Sequence, residues 1–159
     1  VNKMMGEQGN SDVEIINFRE LKEMLPEKAA GLERQNAGGE TAGFGGFKVS
    51  TANGEYADAD GKKKLRIEIT DTGKIPMAVT GLAAFANVDI DREDDNGYER
   101  TTKFEGFPAY EKFTNAGERS EFSVFVGNRF VVQAEGRGLT MDEVKEGMKK
   151  IGLKKLGKQ

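Results

Sequence analysis

No cysteine, no histidine and no tryptophan occurs in these 159 residues, and each absence removes a class of chemistry. Without cysteine there are no disulfides, thiol nucleophiles or zinc-thiolate sites; without histidine there is no imidazole base, triad or metal ligand. Asp and Glu total 27, yet nothing in their spacing unites a particular catalytic pair. The aromatic walls that carbohydrate sites commonly add are scarce, with 3 Tyr and no Trp. No catalytic residue and no cofactor-binding residue is therefore assigned, and the chain is not expected to be an enzyme. Long apolar runs are missing as well: none approaches the ~18 residues of a membrane-spanning helix. A net charge of -3 lacks the basic excess that nucleic-acid binding demands.

Glycine is abundant, with 21 residues, and predicts many turns and corners. Residues 1–12 have no periodicity and read as a flexible tail; 13–159 read as one domain. Asn17, Glu20 and the Ile16/Leu21 pair mark a helix start, with Phe18, Leu21, Met24 and Leu25 on one face and a stop at Pro26. Leu32 to Gln35 reads as a brief strand and Gly38 to Gly46 as a flexible loop. Phe47 to Ala57 and Leu65 to Thr70 pair as a hairpin with its turn at Asp58 to Lys62. Ile75-Pro76 opens a helix to about Asn87, apolar nearly all round, expected to lie across the sheet and border any ligand pocket. Val88 to Gly97 reads as an acidic link. Tyr98 to Phe104 and Ala109 to Phe113 are strands separated by a turn at Gly106-Phe107-Pro108, and Asn115-Ala116-Gly117 turns again.

The last third of the chain is the most ordered in pattern. Gly127-Asn128 between two runs of Phe and Val predicts a two-residue hairpin turn, Phe125 opposite Phe130 and Val124 opposite Val131. Both faces of that hairpin would then be apolar, so it is placed in the middle of a sheet covered on both sides. A three-residue loop, Gly127 to Arg129, would instead gather the apolar residues on one face; Arg129 suits a left-handed position poorly, so this is the second choice. Thr140 and Glu143 form a capping box for a final helix, with Val144, Met148 and Ile151 as its packing stripe. Lys149, Lys150, Lys154 and Lys155 gather at its C-terminal end, where the helix dipole favours cations.

The densest carboxylate cluster supplies the candidate metal ligands Asp89, Asp91, Asp94 and Asp95, for calcium or magnesium held by oxygens of one loop. The spacing departs from an EF-hand: Asp94 stands where the sharp-turn glycine belongs, and Arg100 where the bidentate Glu belongs. Gly152 to Lys158 matches part of a phosphate-loop pattern but lacks the Ser/Thr and the helix that would follow.

Several segments together resemble a family of bacterial envelope proteins of unknown activity, often exported behind a lipoprotein-type signal. They are Phe18-Arg19-Glu20-Leu21-Lys22 with Leu25-Pro26, Ile69-Thr70-Asp71, Gly97-Tyr98-Glu99-Arg100-Thr101-Thr102, Val126-Gly127-Asn128-Arg129-Phe130, and Gly136-Arg137-Gly138. The resemblance implies an exported, lipid-anchored domain of the periplasm or outer surface, with no known activity. The expected partner is an envelope protein, a lipid or a small apolar ligand. The chain opens at Val1 without Met or an apolar leader, as expected if a signal peptide has been removed. The expected fold is α+β: a mainly antiparallel sheet of about six strands with helices packed on its faces. The expected function is a non-catalytic accessory or binding domain of the cell envelope, the alternative a calcium- or magnesium-dependent module using residues 89–97.

Overall fold

Leu65, Ile67 and Ile69 alternate with Arg66, Glu68 and Thr70, and that period of two organises the molecule: one set of side chains enters the core and the other does not. A computed structural model describes residues 14–73 and 88–159. In chain order it contains α1 (Phe18–Glu23), β1 (Lys28–Ala29), β2 (Leu32–Phe44), β3 (Phe47–Ala57), β4 (Lys64–Asp71), β5 (Asp91–Asp94), β6 (Gly97–Phe104), β7 (Phe107–Thr114), β8 (Arg119–Val126), β9 (Phe130–Arg137), α2 (Met141–Lys149) and α3 (Leu153–Leu156). The strands form one nine-stranded sheet in the order β1-β2-β3-β4-β9-β8-β7-β6-β5. Every neighbouring pair is antiparallel. Two meanders, β1 to β4 and β5 to β9, are thus joined where β9 pairs with β4.

This overturns the expected α+β fold. The sheet has nine strands rather than about six, and the described helices are short. The added strands come from segments that read as connections. Gly38 to Phe44 continues β2 instead of forming a loop, and the acidic link contributes β5. Glycine and acidic residues carry low intrinsic strand preference, so only pairing with a neighbour makes these segments extended. The helix expected over 75–87, and the pocket beside it, lie outside the described residues, as does the tail 1–12.

The central hairpin takes the three-residue loop. Phe130 faces Val126, Val131 faces Phe125 and Val132 faces Val124. The left-handed residues are Gly127 and Asn128, not Arg129, so the objection to that loop falls away. The consequence is the one this register requires. Phe122, Val124, Val126, Phe130, Val132 and Ala134 share an inner face with Leu65, Ile67 and Ile69. All three described helices pack on that inner face. Leu21 and Leu25 of the α1 region, Val144 and Met148 of α2, and Leu153 and Leu156 of α3 belong to the same buried cluster. Helices on both faces are therefore not what the described residues show. Phe125 and Val131 point the other way and are nonetheless buried.

The capping box of α2 is formed: Thr140 Oγ1 accepts from Glu143 N at 3.1 Å, and Glu143 Oε1 accepts from Thr140 N at 2.9 Å. Such a cap stabilises by about 1 kcal/mol. The expected single final helix is instead two. Gly152, at φ 85°, breaks the chain between α2 and α3, so Lys154 and Lys155 sit on the second.

Candidate functional site

The acidic segment is a hairpin edge. Asp91 and Asp94 bound β5, Asp89 precedes it, and Asp95 lies in the turn to β6; all four are exposed. Asp91 stands opposite Arg100, and Asp94 Oδ1 accepts from Asn96 N at 2.8 Å, an Asx turn that closes the hairpin. A strand spreads successive carboxylates to opposite faces, so the four do not converge. Among the described residues no group of three His, Cys, Asp or Glu could hold a metal ion. The last lysine of the phosphate-loop-like stretch, Lys158, follows α3 at the C-terminal end of the chain.

Among the described residues two carboxylates are fully buried, and both are committed to structure. Asp71, at the end of β4, accepts from Arg129 Nε and Nη2, both at 2.8 Å, from Ile16 N at 2.8 Å and from Gly73 N at 2.8 Å. Arg129 also donates to Glu14 O at 3.0 Å. One bidentate pair therefore ties three segments together: the residues before α1, the end of β4 and the β8–β9 turn. Glu111, on the inner face of β7, is 2.7 Å from Arg100 Nε and 2.6 Å from Lys145 Nζ, pinning α2 to the sheet. Lys145 additionally stands over the Phe122 ring at 5.5 Å. Neither cluster is legible from local sequence, because the partners are far apart in the chain.

The outer face of the sheet is graded. The register sets Lys64, Arg137 and Arg119 side by side on three adjacent strands. One step along the strands come Glu55, Arg66, Glu135 and Glu121, then Asn53, Glu68, Gln133 and Ser123, and finally Thr51, Thr70, Val131 and Phe125. The first row is exposed and the third half-buried, while Thr70, Val131 and Phe125 in the last are buried. A concavity of about 400 Å³ is lined by Lys64, Arg66, Arg119, Arg137, Glu121 and Glu135 among others. A second of about 170 Å³ continues it along Glu68, Ser123 and Gln133.

Several cations elsewhere in the fold have carboxylate partners, although exposed lysines such as Lys48 and Lys103 have none among the described residues. Arg129 holds Asp71, Arg100 and Lys145 hold Glu111, Arg92 Nε is 2.5 Å from Glu99 Oε1, and Arg66 is 3.2 Å from Glu68. Among the described residues no carboxylate lies within ion-pair distance of Lys64, Arg119 or Arg137. Like charges directly opposed on a sheet are destabilising, by about 0.2–1 kcal/mol for a pair of this kind. Three unneutralised cations in one row are thus a local liability, and an anion resting across them would relieve it.

Models of known protein families, curated proteins and solved structures yield no match to this chain. The site must therefore be read from its own geometry. The row was not found from sequence, since Lys64, Arg119 and Arg137 become neighbours only through the β4–β9–β8 register.

Further along the outer face the polar groups are closed into a network. Tyr110 Oη donates to Glu99 Oε2 at 2.5 Å, and this bond together with Arg92 holds the Glu99 carboxyl below its usual range. All 3 tyrosines of the chain are shifted upward. Burial, only partly opposed by Arg34, pushes Tyr56 up to about 12. Burial and then Glu111 raise Tyr98, and burial and then the bond to Glu99 raise Tyr110. A phenol with a raised folded-state value keeps its proton longer in the native protein than in the unfolded chain. Its stabilising contribution is complete below the ordinary value of about 10 and is lost as pH climbs toward the folded value. Phenolate absorbance should therefore show no tyrosine ionising at the ordinary pH in the native protein, and all three doing so in denaturant. A native step at the ordinary value would contradict this burial pattern.

Proposed function

We propose that the chain is a non-catalytic binding domain of the bacterial cell envelope, and that its ligand lies on the outer face of the sheet. The ligand is a small zwitterion: its phosphate or carboxylate meets Lys64, Arg137 and Arg119, and its ammonium group meets Glu135 and Glu121. The unneutralised cation row is the observation that carries this reading. Two residues of strand separate that row from the carboxylates, about 6.8 Å, a span a small dipolar molecule can bridge. The adjoining concavity of about 400 Å³ falls in the size range of small-molecule sites. The non-catalytic part is supported by Asp71 and Glu111, whose oxygens are engaged by arginine and lysine.

Phosphoethanolamine titrated into the labelled protein should shift the amide resonances of Lys64, Arg119, Glu121, Glu135 and Arg137. Combining Arg119→Glu with Arg137→Glu should weaken that binding by about tenfold or more without lowering the melting temperature. Inorganic phosphate binding equally well would reduce the site to an anion site. Shifts confined to other surfaces, or affinity indifferent to the charge reversals, would refute the assignment.

The envelope part of the reading rests on the resemblance of Phe18 to Lys22, Gly97 to Thr102 and Val126 to Phe130 to exported bacterial domains. Cell fractionation should recover the protein outside the cytoplasm; a wholly cytoplasmic pool would refute it.

A further inference from the structure

The two edges of the sheet are treated very differently. At one end β5 is only 4 residues long, and Asp91, Arg92, Glu93 and Asp94 are all charged and exposed. A short, charged edge is the usual protection against pairing with another chain. At the other end β2 runs for 13 residues, yet β1 pairs only with Leu32 and Glu33. Beyond that point the described residues place no strand against β2 on its outer side. From Gln35 to Phe44 this free edge carries neither Lys nor Pro; its one charge is Glu40, and Ala37, Gly38, Gly39, Ala42 and Gly43 are small. Gly38 is half-buried, and a Cβ built on it would meet nothing within 4 Å.

We infer that the free edge of β2 is a homodimer interface, in which two copies pair their β2 strands antiparallel about a twofold axis and extend the sheet across both chains. The occupant is a second copy because the strand is complementary to itself. With Gly38 on the axis, Asn36 of each copy stands opposite Glu40 of the other. Both belong to the outer face, where Asn36 is opposite Glu55 and Glu40 opposite Thr51. The Asn36 amide can then donate to the Glu40 carboxylate twice, related by the axis, and on the inner face Ala37 opposes Gly39 without steric conflict. No like charges oppose each other in this register, and the backbone groups left open on the edge find partners. The bulge between Arg34 and Asn36 ends the paired stretch on one side, so the interface is small and the association weak and concentration-dependent.

The test is sedimentation velocity of the full chain from micromolar to millimolar concentration, together with amide hydrogen exchange at both extremes. The expected result is a reversible monomer–dimer equilibrium, with exchange slowed at high concentration for amides of Gln35 to Thr41 and unchanged at the β5 edge. Gly38→Lys, which places a charge on the axis in open space, should weaken dimerisation by about tenfold or more while the melting temperature stays the same. The exchange measurement on the unaltered chain keeps the test decisive if that variant folds poorly. A monomer at all concentrations, or a dimer whose β2 amides exchange as in the monomer, would overturn the inference. So would capture of the edge by an extended peptide of another protein in place of self-pairing. The outcome is distinguishable from zwitterion binding: the charged contacts of that site, Lys64, Arg119 and Arg137, lie on other strands. Although Gln35 borders the concavity, only dimerisation makes the slowed exchange of Asn36 to Thr41 depend on protein concentration.

Discussion

Asp71→Ala is expected to destabilise the protein by about 3–5 kcal/mol, the range for removing one partner of a buried ion pair. The Asp71 side chain is 0% exposed and that of Arg129 only 17%, so the guanidinium would be left largely desolvated without its counter-charge. The backbone amides of Ile16 and Gly73 would lose their acceptor as well. Urea unfolding should show the midpoint falling steeply with little change in slope. Asp71→Asn, which keeps the shape and some of the hydrogen bonds, should recover part of the loss. A midpoint unchanged by Asp71→Ala would show that the clamp is not what fastens the residues before α1 to the sheet.

The second large effect is expected at Phe122. Its ring is 1% exposed, meets Phe104 edge-on at a centroid separation of 5.1 Å, and lies beneath Lys145. Phe122→Ala removes that packing and leaves a cavity between β8, β6 and α2, which typically costs about 3–5 kcal/mol. Because Phe122 lies opposite Glu111 across the β7–β8 ladder, the cavity also undermines the anchor of α2. Calorimetry should show a large drop in melting temperature. Phe125→Ala provides the comparison, since Phe125 is buried on the opposite face. If Phe122→Ala left the melting temperature unchanged, the inner-face register would be wrong.

How much of this was legible in the sequence depends on the range of the interaction responsible. The α1 start at Asn17, the capping box at Thr140, the Asp58 to Lys62 turn and the alternation of β4 are all set by residues a few positions apart. These were read correctly to within a residue or two. The β2 strand was missed because Gly38, Gly39 and Gly43 signal a loop locally; only pairing with β3 overrules them. The central hairpin turned on a single-residue choice of loop length, which decides the face of every side chain beyond it. Choosing the shorter loop produced two apolar faces, and with them an expectation of helices on both sides. The cation row was illegible for the same reason: register between distant strands creates it. The carboxylates of 89–95 stood out in sequence, yet a strand separates the neighbours that a compact loop would have gathered.

The pairing of β4 with β9 also has a consequence for how the chain finds its structure. Among the described residues every other ladder joins strands that follow one another, and can form as a local hairpin within microseconds or so. The β4–β9 ladder instead brings Lys64 to Asp71 against Phe130 to Arg137, closing a loop that contains the entire run from β5 to β8. Until that seam zips, Ile67 and Ile69 have no Ala134 and Val132 beside them, and each half of the sheet displays an open apolar border. The slow step of folding should therefore be docking of two preformed halves, with aggregation competing during the interval before they meet.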